Sequence, residues 1–271
     1  MYFLFDVGGT NIRMCLIEDL SKALDINQVT KIPTPQTFEE GMGIIKNYLE
    51  QNNAIGKLQK AIGGTTGVLD STKSKLVNAL NLQGWINKPL KEELNKITQT
   101  EIDLYNDSTL AALGEAAVGK GKDFNIVVYI TISTGLGGSR IINKTIEKST
   151  FNYEPGHQII NVDGEIKYLE DLVSGRGLLK KYGKKAEEIT DPEIWKEIEN
   201  YVAVGLNNIL VHWSPDVVVI GGAVGKSLNV ENIKSNLKKV MRIYPELPEI
   251  LISDLRHNGI QGALFLLKQQ S

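Results

Sequence analysis

The chain has 271 residues, 42% hydrophobic and 23% charged, with a formal net charge of −2. That is ordinary soluble-globular composition, and the length favours two domains, each with its own core. The near-neutral balance, with no basic block beyond Lys180-Lys181 and Lys184-Lys185, argues against a nucleic-acid surface, and no apolar stretch approaches the ~20 residues needed to span a bilayer.

The predicted elements alternate between strands and helices. Strands are expected over about 2–7 and 12–18, with Gly8-Gly9 at the turn between them. The run Met1-Tyr2-Phe3-Leu4-Phe5 has no basic flank and stops at Asp6, so it reads as a strand and not as a signal peptide, and the protein reads as cytoplasmic. Cys15, the single cysteine, falls in the second strand. It reads as a core residue, and its solitude excludes an intramolecular disulfide and any multi-cysteine zinc site.

Met42, Ile45 and Leu49 mark one face of a helix, and Thr37 and Glu40 have the spacing of a capping box at its start. A strand over 59–63 runs into Ile62-Gly63-Gly64-Thr65-Thr66-Gly67. Another, over 101–105, runs into Asn106-Asp107 and a helix of small side chains over 108–118. Strands over 126–133 and 138–143 flank a second glycine-rich turn, Gly135-Leu136-Gly137-Gly138-Ser139-Arg140. A helix is expected from Leu169 to Leu179. The longest amphipathic pattern, from Ile194 to Trp213, starts after Asp191-Pro192 and ends before Pro215. Strands over 216–221 and 249–253 and a last helix carrying Ile260, Ala263, Leu264 and Leu267 complete the chain.

The second half repeats the first. Each has a strand pair turning at glycines, then a strand ending in Ile-Gly-Gly (Ile62-Gly63-Gly64 and Ile220-Gly221-Gly222). Such a duplication implies two α/β lobes with mixed sheets: 1–108, with the terminal helix 258–271 returning to pack on it, and 109–257. Glycine-rich strand ends in both lobes point to one shared ligand, expected to be phosphorylated.

Gly8 and Gly9 are expected to adopt torsions closed to other residues and to let an anion approach the backbone N–H groups, with Thr10 and Asn11 adding side-chain donors. Asp6 could hold Mg²⁺ through water. Ser133 and Thr134 supply further donors at the second turn. Asp107 has two readings: a helix cap, or a general base for a substrate hydroxyl whose ionised form the helix N-terminus favours. Glu154-Pro155-Gly156-His157 places on a turn two polar side chains able to bind hydroxyls, although a glutamate and a histidine in a loop are more often surface residues. Glu170 could equally serve as a favourable charge in a first helical turn. His212 and His257 read as structural.

Taken in order, Asp6-Val7-Gly8-Gly9-Thr10-Asn11, Asn106-Asp107-Ser108-Thr109-Leu110-Ala111-Ala112-Leu113-Gly114-Glu115-Ala116, Ser133-Thr134-Gly135-Leu136-Gly137-Gly138, Glu154-Pro155-Gly156-His157 and Val219-Ile220-Gly221-Gly222-Ala223-Val224 resemble the signatures of ROK-family sugar kinases. ROK stands for repressor, open reading frame, kinase, and bacterial glucokinases belong to the family. The resemblance spans nearly the whole chain and includes Asn81-Leu82-Gln83-Gly84-Trp85.

It implies a two-lobed actin-like ATPase (ribonuclease H-like) fold that closes around ATP-Mg²⁺ and a hexose. It makes Asp107 the catalytic base. Asn81, Asn106, Glu154, His157 and Glu170 would contact the sugar. Asp6, Gly8, Gly9, Thr10, Asn11, Thr134, Gly135, Gly137, Gly221 and Gly222 would contact the nucleotide, with Asp6 orienting Mg²⁺ through water. A homodimer is the assembly it suggests.

Two departures from the family stand out. Most relatives carry, after the Glu-x-Gly-His motif, a cysteine cluster that binds structural zinc with that histidine. Here Asn161 to Tyr168 contains no cysteine, so zinc is expected to be absent. The chain also starts directly at the first phosphate strand, without the helix-turn-helix of repressor members, so DNA binding is not expected.

Glucose, through its 6-hydroxyl, is the expected acceptor, because Glu154 stands where N-acetylmannosamine kinases commonly carry histidine. Fructose, mannose, N-acetylmannosamine and N-acetylglucosamine stay open, as do a non-catalytic sugar sensor on the same fold and an acyl-phosphate kinase of the wider superfamily.

Overall fold

The computed structural model describes all of residues 1–271. β1 (Tyr2–Val7) and β2 (Asn11–Ile17) form an antiparallel hairpin, and β3 (Thr30–Pro33) pairs antiparallel with β2. After α1 (Phe38–Gln51), β4 (Lys60–Thr65) runs parallel to β1. The short pair β5 (Val68–Leu69) and β6 (Leu76–Asn78) and then α2 (Leu90–Thr98) precede β7 (Ile102–Asn106), which runs parallel to β4 and continues into α3 (Asp107–Val118). The sheet order is β3-β2-β1-β4-β7.

The second half repeats this plan. β8 (Ile126–Ile132) and β9 (Leu136–Ile142) form a hairpin, extended by β10 (Thr145–Ile146). A separate hairpin, β11 (Ile159–Val162) and β12 (Glu165–Tyr168), leads into α4 (Leu169–Val173), α5 (Gly175–Tyr182) and α6 (Pro192–Trp213). β13 (Val217–Gly221) then joins parallel to β8, and after α7 (Val230–Val240) β14 (Glu249–Ile252) joins parallel to β13. The order β10-β9-β8-β13-β14 matches the first sheet strand for strand. The last helix, α8 (Asn258–Gln270), packs on β1 and β4.

The chain divides into two units: 1–114, 148–152 and 256–271, and then 115–147 and 153–255. Each has its own apolar core. Phe3, Phe5, Ile12, Met14, Ile45, Leu49 and Trp85 anchor the first, where the Trp85 ring meets Phe38 edge-on and its Nε1 donates to the Pro35 carbonyl at 3.2 Å. Val128, Ile130, Ile209, Leu210, Val218 and Ile220 anchor the second. Every residue of β13 is buried, as expected for a central parallel strand that reads Val-Val-Val-Ile-Gly. Cys15 is fully buried, and burial, with the Asp25 charge, pushes its thiol up to about 11, which keeps it protonated and unreactive at neutral pH.

All eight expected strands are present, but the structure corrects two helical expectations. The segment from Leu169 is two helices and not one: Ser174 ends α4 and turns its hydroxyl to accept the Gly177 N–H at 3.2 Å, capping α5. At the start of α1 the Thr37 hydroxyl makes no cap to the backbone; it donates instead to Glu40 Oε2 at 2.6 Å.

Candidate active site

In the first unit the parallel strands β1, β4 and β7 all end at candidate residues, so the carboxyl edge of this sheet gathers Asp6, Gly64 and Asn106-Asp107, as ligand-binding residues of α/β sheets are gathered. Asp6 faces Arg13 across the β1–β2 hairpin, and Arg13 Nη1 donates to Asp6 Oδ2 at 3.1 Å. The other oxygen, Oδ1, is buried with no hydrogen-bond partner. Burial raises the Asp6 carboxyl above the ordinary aspartate range, and Arg13 opposes that rise. A buried acceptor without a partner is costly, and a hydrated cation beside Oδ1 would relieve that cost.

The turn that follows is closed by the Gly8 N–H bonding the Asn11 carbonyl at 3.0 Å and by the Thr34 hydroxyl donating to the Gly8 carbonyl at 2.7 Å. Neither Gly8 nor Gly9 lies in the left-handed region, which corrects the expectation of unusual torsions. Space is the constraint: a Cβ at Gly9 would lie 2.6 Å from the Asn81 Cβ, so the missing side chain is what lets Asn81 approach this turn. Thr10 is exposed and Asn11 half-buried at the start of β2.

Asn106 and Asp107 divide the work at the β7–α3 junction. Asn106 Oδ1 accepts the N–H groups of Ser108 and Thr109 at 3.0 and 3.3 Å, and its Nδ2 donates to the Gly67 carbonyl at 3.2 Å. Asn106 therefore caps the helix. Asp107 Oδ1 accepts from the Ser108 N–H at 2.7 Å, and the residue is half-buried. Gly64 lies beneath it, its absent Cβ 3.1 Å from the Asp107 Cα.

In the second unit the turn from β8 to β9 is held from below by α4 and α5. The Ser133 N–H bonds the Gly135 carbonyl at 2.9 Å, the Gly175 N–H bonds the Ser133 carbonyl at 2.7 Å, and the Arg176 N–H bonds the Thr134 carbonyl at 3.1 Å. Gly137 follows in β9, opposite Thr131. Glu170 is buried, and both its oxygens are engaged: Oε2 accepts the Leu136 N–H at 2.7 Å, and Oε1 pairs with Arg176 Nη2. Its carboxylate thus ties the turn to the following helices. If the glycine-rich turn holds the nucleotide, as the resemblance implies, Glu170→Gln, which removes one charge-assisted acceptor from a backbone N–H, should raise KM for ATP ~10-fold or more. Steady-state kinetics with ATP varied would test this, and an unchanged KM would show that the carboxylate does not position the turn.

Pro155-Gly156-His157, preceded by Glu154, forms a short 3₁₀ turn between β10 and β11 that packs against the start of β9. The absent Cβ of Gly156 would fall inside contact distance of the Leu136 carbonyl oxygen, so this turn, the glycine-rich turn and Glu170 form one cluster. His157 Nδ1 is 3.5 Å from Glu154 Oε2, and its ring meets Tyr168 edge-on at 5.4 Å between centroids. At the end of β13, Gly222 has φ +86°, and a Cβ there would run into the Ile132 carbonyl, so this position does require glycine. Gly221 packs against the Tyr129 ring. Both lie beside the strand that leads into Ser133.

Sequence reasoning missed Arg13, Gly64, Tyr168 and Arg176 as members of these clusters. The repeated Ile-Gly-Gly had pointed toward Gly64; the partners of the other three are set only by tertiary contacts. No group of three or more His, Cys, Asp or Glu side chains is placed to hold a metal ion, and no helix is long and apolar enough to cross a membrane.

Comparison with known proteins gives a consistent result. The ROK family model matches residues 2–270. The N-acetyl-D-glucosamine kinase of Salmonella typhimurium is 26% identical, covering 98% of this chain and 99% of that protein. The crystal structure of a ROK hexokinase from Thermus thermophilus has a TM-score of 0.81 at 23% identity, covering 100% of this chain and 99% of that one. A ROK family glucokinase from Streptomyces griseus, solved with glucose and AMPPNP, has the same TM-score and identity and covers 99% of both chains. The fold these structures share is the actin-like ATPase fold.

Proposed function

The chain belongs to the ROK family, and on that premise we propose how it works as an ATP-dependent sugar kinase: it transfers the terminal phosphoryl group of ATP to a hexose hydroxyl, with the 6-hydroxyl of glucose as the leading acceptor. The observation that carries this reading is the division of labour at the β7–α3 junction. Asn106 accepts from both Ser108 and Thr109, so the helix keeps a cap without Asp107, whose carboxylate bonds the Ser108 N–H and stands at the carboxyl edge of the sheet with Asp6 and Gly64.

Asp107 is proposed to accept the proton of the attacking hydroxyl and to aim that oxygen. Asn81, Asn106, Glu154 and His157 are proposed to bind the remaining hydroxyls. Glu170 would act there as well as on the Leu136 N–H, which it already holds. With the Gly8 N–H closing its turn on the Asn11 carbonyl and the Leu136 N–H held by Glu170, the N–H groups of Gly9, Thr10, Thr134 and Gly135 would donate to phosphate oxygens, with Asn11 and Gly137 flanking them, and Gly221-Gly222 would lie against the adenosine. Mg²⁺ bound with the nucleotide supplies charge neutralisation on the transferring group, and Asp6 Oδ1, buried and without a partner, suits a water of its hydration shell. Phosphoryl transfer needs little covalent chemistry from the protein, so oriented N–H groups and one well-placed carboxylate suffice for the mechanism.

A kinase for N-acetylglucosamine is the second reading, supported by the activity named for the Salmonella relative. Release of ADP, followed by a coupled assay across glucose, mannose, fructose, N-acetylglucosamine and N-acetylmannosamine with acetate as control, separates the readings. Glucose is expected to give the highest kcat/KM. A maximum on N-acetylglucosamine would install the second reading, and no hexose-dependent ADP release at all would leave a sugar-binding protein without catalysis.

A further inference from the structure

We propose that Tyr168, presented by the β11–β12 hairpin, is the positioning residue that orients His157, doing without metal what a zinc-binding cluster does in relatives; this rests on the reading of His157 as a sugar-binding residue. The residues present do not fit a zinc site. Between His157 and Glu170 there is no cysteine, and no trio of His, Cys, Asp or Glu side chains converges there or elsewhere.

A hairpin occupies the interval instead. Asp163-Gly164 turns it, with φ +52° and +86°, the pair of positive torsions that a two-residue type I′ turn requires. The Gly164 N–H bonds Asn161 Oδ1 at 2.9 Å across the turn. The register pairs Ile159 with Tyr168, so the last residue of β12 is delivered next to the strand that begins two residues after His157. Strand geometry then brings the phenol ring edge-on to the imidazole at 5.4 Å, an arrangement that aromatic pairs favour.

The frame behind this contact is hydrogen-bonded throughout. The His157 N–H bonds the Glu154 carbonyl at 3.0 Å, and the Leu169 N–H bonds the Gln158 carbonyl at 3.0 Å. Gln158 bridges outward: its Nε2 donates to the Pro155 carbonyl at 2.9 Å, and its Oε1 accepts from Asn208 Nδ2 of α6 at 2.8 Å. Leu169, next to Tyr168, is buried against Gly205 of the same helix. The loop backbone is therefore fixed, while the imidazole itself is bounded by Glu154 Oε2 on its Nδ1 side and by the Tyr168 ring. Tyr168 is 47% exposed and has exposed Ile166 for company, so trimming it leaves no cavity in the core. Its ring contact can be removed without unfolding the unit.

The test compares Tyr168→Ala and Tyr168→Phe with the unaltered protein. Loss of the ring should raise KM for the sugar ~2- to 10-fold, the range of one aromatic pair, leaving KM for ATP unchanged, and the phenylalanine variant should behave as the parent. An independent readout is the His157 ring signal in proton–nitrogen NMR, one of only three histidines. It should shift in Tyr168→Ala and not in Tyr168→Phe. Stripping the protein with a zinc chelator and then restoring Mg²⁺ should change neither KM nor melting temperature.

An unmoved His157 signal with an unchanged sugar KM in Tyr168→Ala would overturn the proposal, as would stoichiometric zinc whose removal raises the sugar KM. If the parent phosphorylates no hexose, the sugar-kinase reading fails, and the His157 signal alone then decides whether Tyr168 orients the ring.

Discussion

Asp107→Asn is expected to fold, to bind sugar with near-parental affinity, and to lose at least ~10²-fold in kcat. The substitution keeps the shape of the side chain and one acceptor oxygen for the Ser108 N–H, and the helix stays capped because Asn106 accepts from residues 108 and 109. What disappears is a carboxylate that can take a proton. A general base typically contributes ~10²–10⁴-fold, so the loss belongs in turnover and not in KM. Calorimetric titration with sugar and a thermal melt would establish that binding and folding persist. The coupled ADP assay would then measure kcat, and turnover within a few-fold of the parent would remove Asp107 from the mechanism.

The second large effect concerns stability. Gly262→Val should lower the melting temperature by several degrees, since overpacking costs ~1–3 kcal/mol or more and each kcal/mol is worth about 2–4 °C in a protein of this size. A Cβ at Gly262 would collide with the Leu110 carbonyl and lie 2.9 Å from the Gly114 backbone nitrogen. A Cβ at Gly114 would likewise collide with the Asn258 carbonyl. Helices α3 and α8 therefore touch backbone to backbone, and no flexible side chain can move aside. Because Asp107 begins α3, the shift that accommodates valine should also lower turnover. Gly43→Ala is the internal control: it lies within α1 with nothing within 4 Å of the added atom, and should be neutral or stabilising by ~0.5–1 kcal/mol. Equal melting temperatures for the parent and Gly262→Val would contradict the close helix contact.

The small residues of α3 were visible in the sequence, but their purpose was not. Leu110-Ala111-Ala112-Leu113-Gly114 announces a helix that something approaches closely. Only the packing identifies α8, some 150 positions away, as the approaching element. The β11–β12 hairpin is the reverse case. Its Asp163-Gly164 turn between Ile-Ile-Asn-Val and Glu-Ile-Lys-Tyr is a strong local hairpin signal, legible in the sequence alone. Helix α7 likewise carries its marks locally: Asn229 accepts the N–H groups of residues 231 and 232 at its start, and Ile233 and Leu237 are spaced for one face. Ser174, by contrast, broke a helix that apolar spacing alone had drawn as continuous, because its hydroxyl competes for backbone N–H groups.

Local periodicity and punctuation determined the alternating strands and helices, the duplication into two similar sheets, the glycine-rich strand ends and the place of Asp107 at the start of a helix. These features depend on residues a few positions apart, and a linear reading reaches them. Tertiary structure decided why particular residues stand where they do: Asn81 over Gly9, Glu170 beneath Leu136, Arg13 against Asp6 and Tyr168 beside His157. The resemblance to family motifs named most of these residues but paired none of them, and none of the pairs shares a helical turn or successive places on one strand. Their meeting is set by sheet register and by the crossover of helices, and long-range packing fixes both.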